Sequence, residues 1–289
     1  FGGRYLPENT RYAKSTIAHN TVVVNMESQN KGNRNKADLV HARRHYFDVT
    51  NSNVQVMSAR ADDHYSNVKM QRTMFLINDY RLEYPVVVDV YKINSQKSNT
   101  YDYPIHYSGQ IINTNFNYDK SLSSMNVLGN SNGYEHIWIE ATSRLSKPAK
   151  ITWLDGNRYY TLTTAVDDES DIIFGRIGAN DPSFNLRSEP MFIVRNTSND
   201  FVYASVIEPH GYFDESSESS LNAYGVIEKI EVVGYNDQAT VIEVLGKNNL
   251  KWKIIINNVE SKKGKHNKVR IENKVYQWVG DYSVKLIDK

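Results

Sequence analysis

Apolar positions along this chain recur in short alternating runs and not at helical spacing. From position 39 the alternation puts Leu39, His41, Arg43, His45 and Phe47 on one strand face and Val40, Ala42, Arg44 and Tyr46 on the other. Further strands are predicted at 54–60, 70–77, 85–93, 105–112, 134–141, 149–154, 159–165, 171–177, 191–194, 201–207, 226–233, 240–245, 250–256, 268–271, 275–278 and 283–287. Tyr84-Pro85-Val86-Val87-Val88-Asp89-Val90 is apolar almost throughout, as a strand covered on both faces requires. Asp155-Gly156-Asn157, 130–133, 178–182, Asn257-Asn258 and Lys263-Gly264-Lys265 supply turn chemistry between runs. No segment keeps a helical period beyond about two turns. The pattern predicts an all-β chain, a large antiparallel β-sandwich of stacked sheets. The polar stretch 214–222 is the best internal loop and the one place where that domain could divide.

One stretch combines a strand with chemistry: Ser15-Thr16-Ile17-Ala18-His19-Asn20-Thr21-Val22-Val23-Val24. Its tail is β-branched throughout, which favours a buried strand, and His19 and Asn20 stand where loop passes into sheet. A side chain fixed at such a rim suits chemistry that needs precise placement; the same pair equally suits capping of strand-end backbone groups. Residues 1–18 carry loop composition, with Gly2-Gly3, Pro7-Glu8-Asn9 and Arg11 to Lys14, and read as a linker or the remnant of a connection to a preceding domain. The β domain is then expected over 19–289, and 25–37 reads as a polar loop with three basic residues.

Charge and composition narrow the function. With 34 Lys and Arg against 33 Asp and Glu, the chain has no global field for nucleic acid or an anionic membrane, so a polyanion must meet a local basic cluster. No apolar run approaches a membrane span. There is no cysteine, so a metal must be held by His, Asp or Glu. His41 and His45 would lie about two pleats apart on a strand, too far to chelate easily. His64, in Asp62-Asp63-His64-Tyr65, is expected in a polar loop beside two carboxylates. His19 and His64 with one carboxylate would suit zinc, leaving a fourth position open. His106 reads either as a site residue or as a half-buried strand histidine. Arg43-Arg44 could clamp a carboxylate through the guanidinium fork, or simply be an exposed pair on a strand edge. Asp167-Asp168-Glu169 reads as a solvated turn. Twenty tyrosines suit β-strands and sugar-binding surfaces alike. There is no nucleophile elbow, P-loop or dinucleotide fingerprint.

Ala18-His19-Asn20-Thr21-Val22-Val23-Val24 resembles the signature of the heparinase II/III-like superfamily. Phe1-Gly2-Gly3-Arg4-Tyr5-Leu6-Pro7-Glu8-Asn9, Tyr101-Asp102-Tyr103-Pro104-Ile105-His106-Tyr107-Ser108-Gly109-Gln110, Gly178-Ala179-Asn180-Asp181-Pro182-Ser183-Phe184-Asn185-Leu186-Arg187 and Ala204-Ser205-Val206-Ile207-Glu208-Pro209-His210-Gly211 are similar to stretches of the family 17 polysaccharide lyases, which are alginate and oligoalginate lyases. The resemblance implies a helical (α/α) toroid followed by a β-sandwich, of which this chain is the second part, so that the toroid is absent from it. It implies that most of the catalytic groups, a tyrosine and an asparagine-histidine pair, lie in that helical domain. The β part supplies the cleft wall, the motif histidine and a structural zinc site. Carried over by position, His19 is the motif histidine, Arg43 or Arg44 the uronate-facing arginine, and His19, Asp38 and His64 the zinc set, with Asp48, His45 or His106 as substitutes. Where relatives often have aspartate-glycine after the motif strand, this chain has Asn25-Met26. The resemblance also implies an acidic polysaccharide substrate, and a periplasmic or secreted location. A non-catalytic carbohydrate-binding module and a glycosaminoglycan lyase are the competing readings.

Overall fold

The computed structural model describes residues 12–121, 124–182, 184, 186–260 and 264–287; the stretch 1–9 noted above lies outside them. An eight-stranded antiparallel sheet forms the centre, in the spatial order Arg43–Asn51, Val54–Tyr65, Val68–Ile77, Val86–Ser95, Phe201–His210, Arg158–Thr164, Ala149–Asp155 and Gln110–Thr114. On one face lies a six-stranded sheet, ordered Val23–Val24, Asn99–His106, Pro190–Ser198, Asp171–Ile177, Ile137–Arg144 and Asp119–Lys120. On the other lies a four-stranded sheet of Ile227–Tyr235, Ala239–Gly246, Lys251–Asn257 and Tyr282–Leu286. The hairpin His266–Ile271/Lys274–Val279 closes the stack on the outer face of that third sheet.

Alternation within single strands builds these layers. In Val86–Ser95 the side chains of Val86, Val88 and Val90 pack with Ile230, Trp252 and Ile254 of the four-stranded sheet. Tyr91 and Ile93 point the other way and pack with Tyr203, Tyr103 and Phe192. The strand is thus covered on both faces, as its apolar run predicts, each buried aliphatic side chain contributing roughly 1.5–3 kcal/mol. Fully buried Trp252 donates its Nε1–H to Asp79 Oδ2 at 2.8 Å, satisfying the indole's one polar atom. A third cluster, with Tyr12, Ile17, Ala18, Val23, Ile173 and Ile193, seats the segment around His19 on the outer face of the six-stranded sheet.

Several expectations are corrected. Residues 39–42 are not strand: Arg34–Ala37 form one helical turn capped by the Asn33 side chain, and the strand begins at Arg43. A bulge where the register shifts between Arg44 and Tyr46 then reverses the alternation, so Phe47 shares the face of Arg44 and not that of Arg43. The run 105–112 spans two strands in different sheets: the chain leaves the six-stranded sheet at His106, turns through Gly109 at φ +91°, and enters the eight-stranded sheet at Gln110. His64 lies in the strand Val54–Tyr65 and not in a loop. Of the 214–222 loop, part is a short ribbon pairing Tyr212–Asp214 with Ser219–Leu221.

The six-stranded sheet leaves part of the eight-stranded face open. Phe47 pairs with Met57 and Met57 with Met74, while Leu76 lies one rung further; Phe47, Met57 and Leu76 are 59%, 50% and 42% exposed.

A candidate site at the rim of the open face

Ser15 to Val24 is anchored at both ends and free in the middle. Ile17, Ala18, Val22 and Val23 are buried, and the hydroxyls of Ser28 and Thr16 accept from the Thr16 and Gln29 amides at 3.2 and 2.7 Å. Between these anchors His19 and Asn20 face solvent. The His19 amide donates to Thr16 O at 3.1 Å, ending a short 3-10 turn, and its ring donates Nε2–H to Ala13 O at 3.1 Å. A two-residue strand, Val23–Val24, follows and pairs with Tyr101 and Asp102. The β-branched tail is therefore mostly core anchor and only briefly strand.

Asn20 is held from two sheets. Its Oδ1 accepts the His106 amide at 2.9 Å, and its carbonyl accepts Arg72 Nη1 at 2.8 Å. His106 is itself buried and donates Nε2–H to Ile17 O at 2.8 Å. Burial, reinforced by the charge of nearby His19, lowers its pKa to about 4, so the ring is neutral at ordinary pH. His106 thus supports the rim from beneath and does not itself exchange protons there.

Arg72 is the second support. Its Nε and Nη2 grip both carboxylate oxygens of Asp89, at 3.0 and 2.7 Å, and Nη2 also reaches Tyr103 OH at 3.0 Å. The Tyr103 hydroxyl donates to Asp89 Oδ2, and burial together with that carboxylate keeps the phenol neutral. Asp89 is 5% exposed at the side chain, and this guanidinium is the cation paired with it at 2.7 Å. A matching pair lies under the motif strand: buried Asp102, the partner of Val23, takes Arg195 Nε and Nη2 at 2.6 and 2.8 Å and the Tyr134 hydroxyl at 2.6 Å.

The two neighbouring arginines separate. Arg44 pairs with Ala59, and Ala59 with Arg72, so exposed Arg44 stands in the same row and on the same open face as the Arg72 clamp. Arg43 pairs with Arg60 on the reverse face and bridges Asp62 at 3.0 Å. His45 also turns to the reverse face, donating Nε2–H to Val259 O at 3.0 Å. Asp48 accepts the Tyr282 hydroxyl at 3.0 Å there. Beside His19, Ala13 also lines a crevice of about 580 Å³ to which Lys14 and Arg34 bring positive charge.

The residues expected to hold zinc are not gathered. Asp38 is exposed at the end of the Arg34–Ala37 turn, and His19 is engaged with Ala13. Among the described residues no three His, Cys, Asp or Glu side chains are grouped closely enough to hold a metal ion. Of His19, Asp38 and His64, it is His64 that has a buried ring nitrogen, Nδ1, with no hydrogen-bond partner among the described residues. Burial lowers the pKa of that ring, Asp63 opposes the shift, and the charge of nearby His41 adds to it. The other stretches noted in the sequence are fold supports. His210 bonds Thr161 Oγ1 and Asn222 O at 2.8 Å each, Glu208 accepts the Val226 and Ile227 amides at 2.6 and 3.0 Å, and Asp181 accepts the Leu186 amide at 2.7 Å.

Arg72 and Asp89 were not among the expected site residues. The signal was present, since Asp89 interrupts an otherwise apolar run, and a carboxylate buried in a central strand demands a cation.

Comparison with known proteins agrees with this architecture. The sequence is 35% identical over 247 residues to the exo-oligoalginate lyase of Saccharophagus degradans (strain 2-40), covering 84% of this chain and 33% of that protein. It is 34% identical over 284 residues to the alginate lyase of Stenotrophomonas maltophilia (strain K279a), covering 98% of this chain and 38% of that one. The chain thus spans little more than a third of these relatives. Among solved structures, a heparinase III superposes with a TM-score of 0.53 at 13% identity over 86% of this chain and 32% of its own. The heparan sulfate lyase HepC of Pedobacter heparinus gives 0.50 at 9% identity over 86% and 31%. These likenesses show a shared fold. The model of the heparinase II/III-like C-terminal family matches residues 1–221, and the chain belongs to that family.

Proposed function

We propose that this chain is the β-sandwich part of a polysaccharide lyase that cleaves a uronate polymer or oligomer of the alginate type by β-elimination. The observation that carries the reading is the His19–Asn20 rim, exposed yet braced by Arg72 and His106, beside an open face bearing Arg44. Kinship with an exo-oligoalginate lyase and an alginate lyase supplies the substrate class.

The chemistry requires such a wall. The C5 proton of a uronate is too weakly acidic to leave while the neighbouring carboxylate stays fully anionic. Donors and positive charge on that carboxylate stabilise the enolate-like intermediate. A base then takes the proton, and an acid protonates the departing O4. In this proposal His19 and Arg44 handle the carboxylate, Asn20 and Arg72 fix the position of His19, and the base and acid come from a helical domain of a longer protein. The exposed apolar row of Phe47, Met57 and Leu76 is the surface such a domain would cover. Arg43, turned to the reverse face, has no part in it.

Zinc stays within the proposal on the strength of His64 Nδ1 alone, and no step depends on it. Metal analysis of the purified chain before and after chelation tests it. A periplasmic or secreted location belongs to the same reading; among the described residues no helix is long and apolar enough to cross a membrane.

The test is an assay of the complete protein on alginate oligomers, heparan and hyaluronan, following the ultraviolet absorbance of the unsaturated product. Activity confined to alginate supports the reading. Activity on the glycosaminoglycans alone moves the substrate class, and none on any of the three leaves a non-catalytic carbohydrate-binding module.

A further inference from the structure

The strand Val68–Ile77 presents a second charged constellation on its reverse face. Arg60, Gln71 and Lys92 form a cross-strand row on three adjacent strands, and Lys69 opposite Asn94 forms the next rung. Paired residues of neighbouring strands share a face, with strands about 4.8 Å apart, so the three cations converge. They line a crevice of about 300 Å³ where the eight-stranded sheet meets the turns of the four-stranded sheet.

The surroundings fix this cluster without neutralising it. Arg60 Nε donates to Gln71 Oε1 at 3.2 Å, its Nη2 donates to Asn258 O, and Gln71 Nε2 donates to Asn257 O at 3.1 Å. Lys92 is half-buried and Lys69 exposed, and neither has an ion-pair partner within 4.0 Å among the described residues. Two carboxylates also line the crevice. Asp62 is matched by Arg43 at 3.0 Å, and Asp237, with Asp200 that accepts Asn94 Nδ2 at 3.2 Å and acts on Lys92, stands against the three cations Arg60, Lys69 and Lys92. In a chain of net charge +1, this excess of positive charge is local.

We propose that this crevice binds the carboxylate of an acidic sugar, Lys69 and Lys92 supplying the charge and the guanidinium N–H groups of Arg60 not spent on Gln71 and Asn258 the directed donors. It lies across the sheet from the His19 rim and would hold a uronate chain at a point separate from the reacting unit. The choice of a sugar acid rests on the proposed function; the anion site itself rests on the row of cations.

The test is calorimetric titration of the protein carrying His19→Ala and Arg44→Ala, which disables the rim, with a tetra-uronate from alginate, a neutral tetrasaccharide and inorganic sulfate. Lys69→Gln is at the surface and leaves the fold intact; Lys92→Gln is the partner variant, with melting temperature as the folding control. The account expects the tetra-uronate to bind, about tenfold more weakly in either lysine variant and with a strong salt dependence. The neutral sugar should not bind. Sulfate bound in place of the tetra-uronate would overturn the sugar assignment. Uronate affinity unchanged by both lysine variants, or no uronate binding, would overturn the site. Because the rim is disabled throughout, loss of binding here is distinguishable from failure of the lyase reading, which the activity assay decides.

Discussion

His106 makes the site dependent on pH without touching substrate. Its folded pKa of about 4 lies below the ordinary 6.5, so between those values the unfolded chain takes up a proton that the folded ring refuses. Stability is therefore complete above about pH 6.5 and falls as pH drops toward 4, by on the order of 3 kcal/mol. Burial lowers the pKa of His45 and His210 as well, with the same sign. Urea unfolding at pH 4.5 and pH 7 should show this loss, and His106→Gln should remove a large part of it. Asp89 gives a sharper case: Asp89→Ala leaves the Arg72 guanidinium partly buried without its carboxylate, and should cost about 3–5 kcal/mol in denaturant unfolding. Charge pairs of this kind were only half legible. A lone carboxylate in an apolar run announces that a partner exists, but not that Arg72, distant in sequence and closed on it by strand pairing, is the partner.

Strand alternation was the most legible layer, because a half-buried strand must alternate wherever both its faces meet different surroundings. It failed where backbone geometry changes without a sequence mark. The bulge after Arg44 reversed the faces of Phe47 and Tyr46, so Phe47 joins Arg44 on the open face while Tyr46 joins Arg43 on the reverse one. The polar strand Asn99–His106 was read only from its apolar end, since its ladder is fixed by the neighbours Val23–Val24 and Pro190–Ser198 more than by its own residues. Turn glycines were legible by type and not by consequence. At Gly109 an added Cβ would fall 1.9 Å from Leu154 O at φ +91°, whereas at Gly156, φ +58°, nothing lies within 4 Å. Gly156→Ala should cost about 1 kcal/mol, and Gly109→Ala at least twice that, since the backbone that carries the chain between sheets must move. Thermal unfolding of the two variants side by side checks the difference.

At the scale of the molecule, the sheets share cores more widely than the family match suggests. That match ends at residue 221, yet Val54, Phe75, Val86 and Val88 of the central sheet are buried against Ile230, Trp252 and Ile254 beyond it. A chain ended after Leu221 would bare that face and should aggregate or succumb to brief proteolysis, whereas the intact chain should elute as a folded species in gel filtration. The open opposite face, with its exposed Phe47, Met57 and Leu76, is where the proposal brings the rest of a longer enzyme, and the His19 rim stands at its border. The most direct measurement is the turnover of alginate oligomers by the complete enzyme carrying His19→Ala, alongside its melting temperature. The account predicts a loss of about 100-fold or more with melting within a degree or two of the parent, because the exposed ring contributes to chemistry and little to packing. Turnover within a few-fold of the parent, with the fold intact, would contradict it.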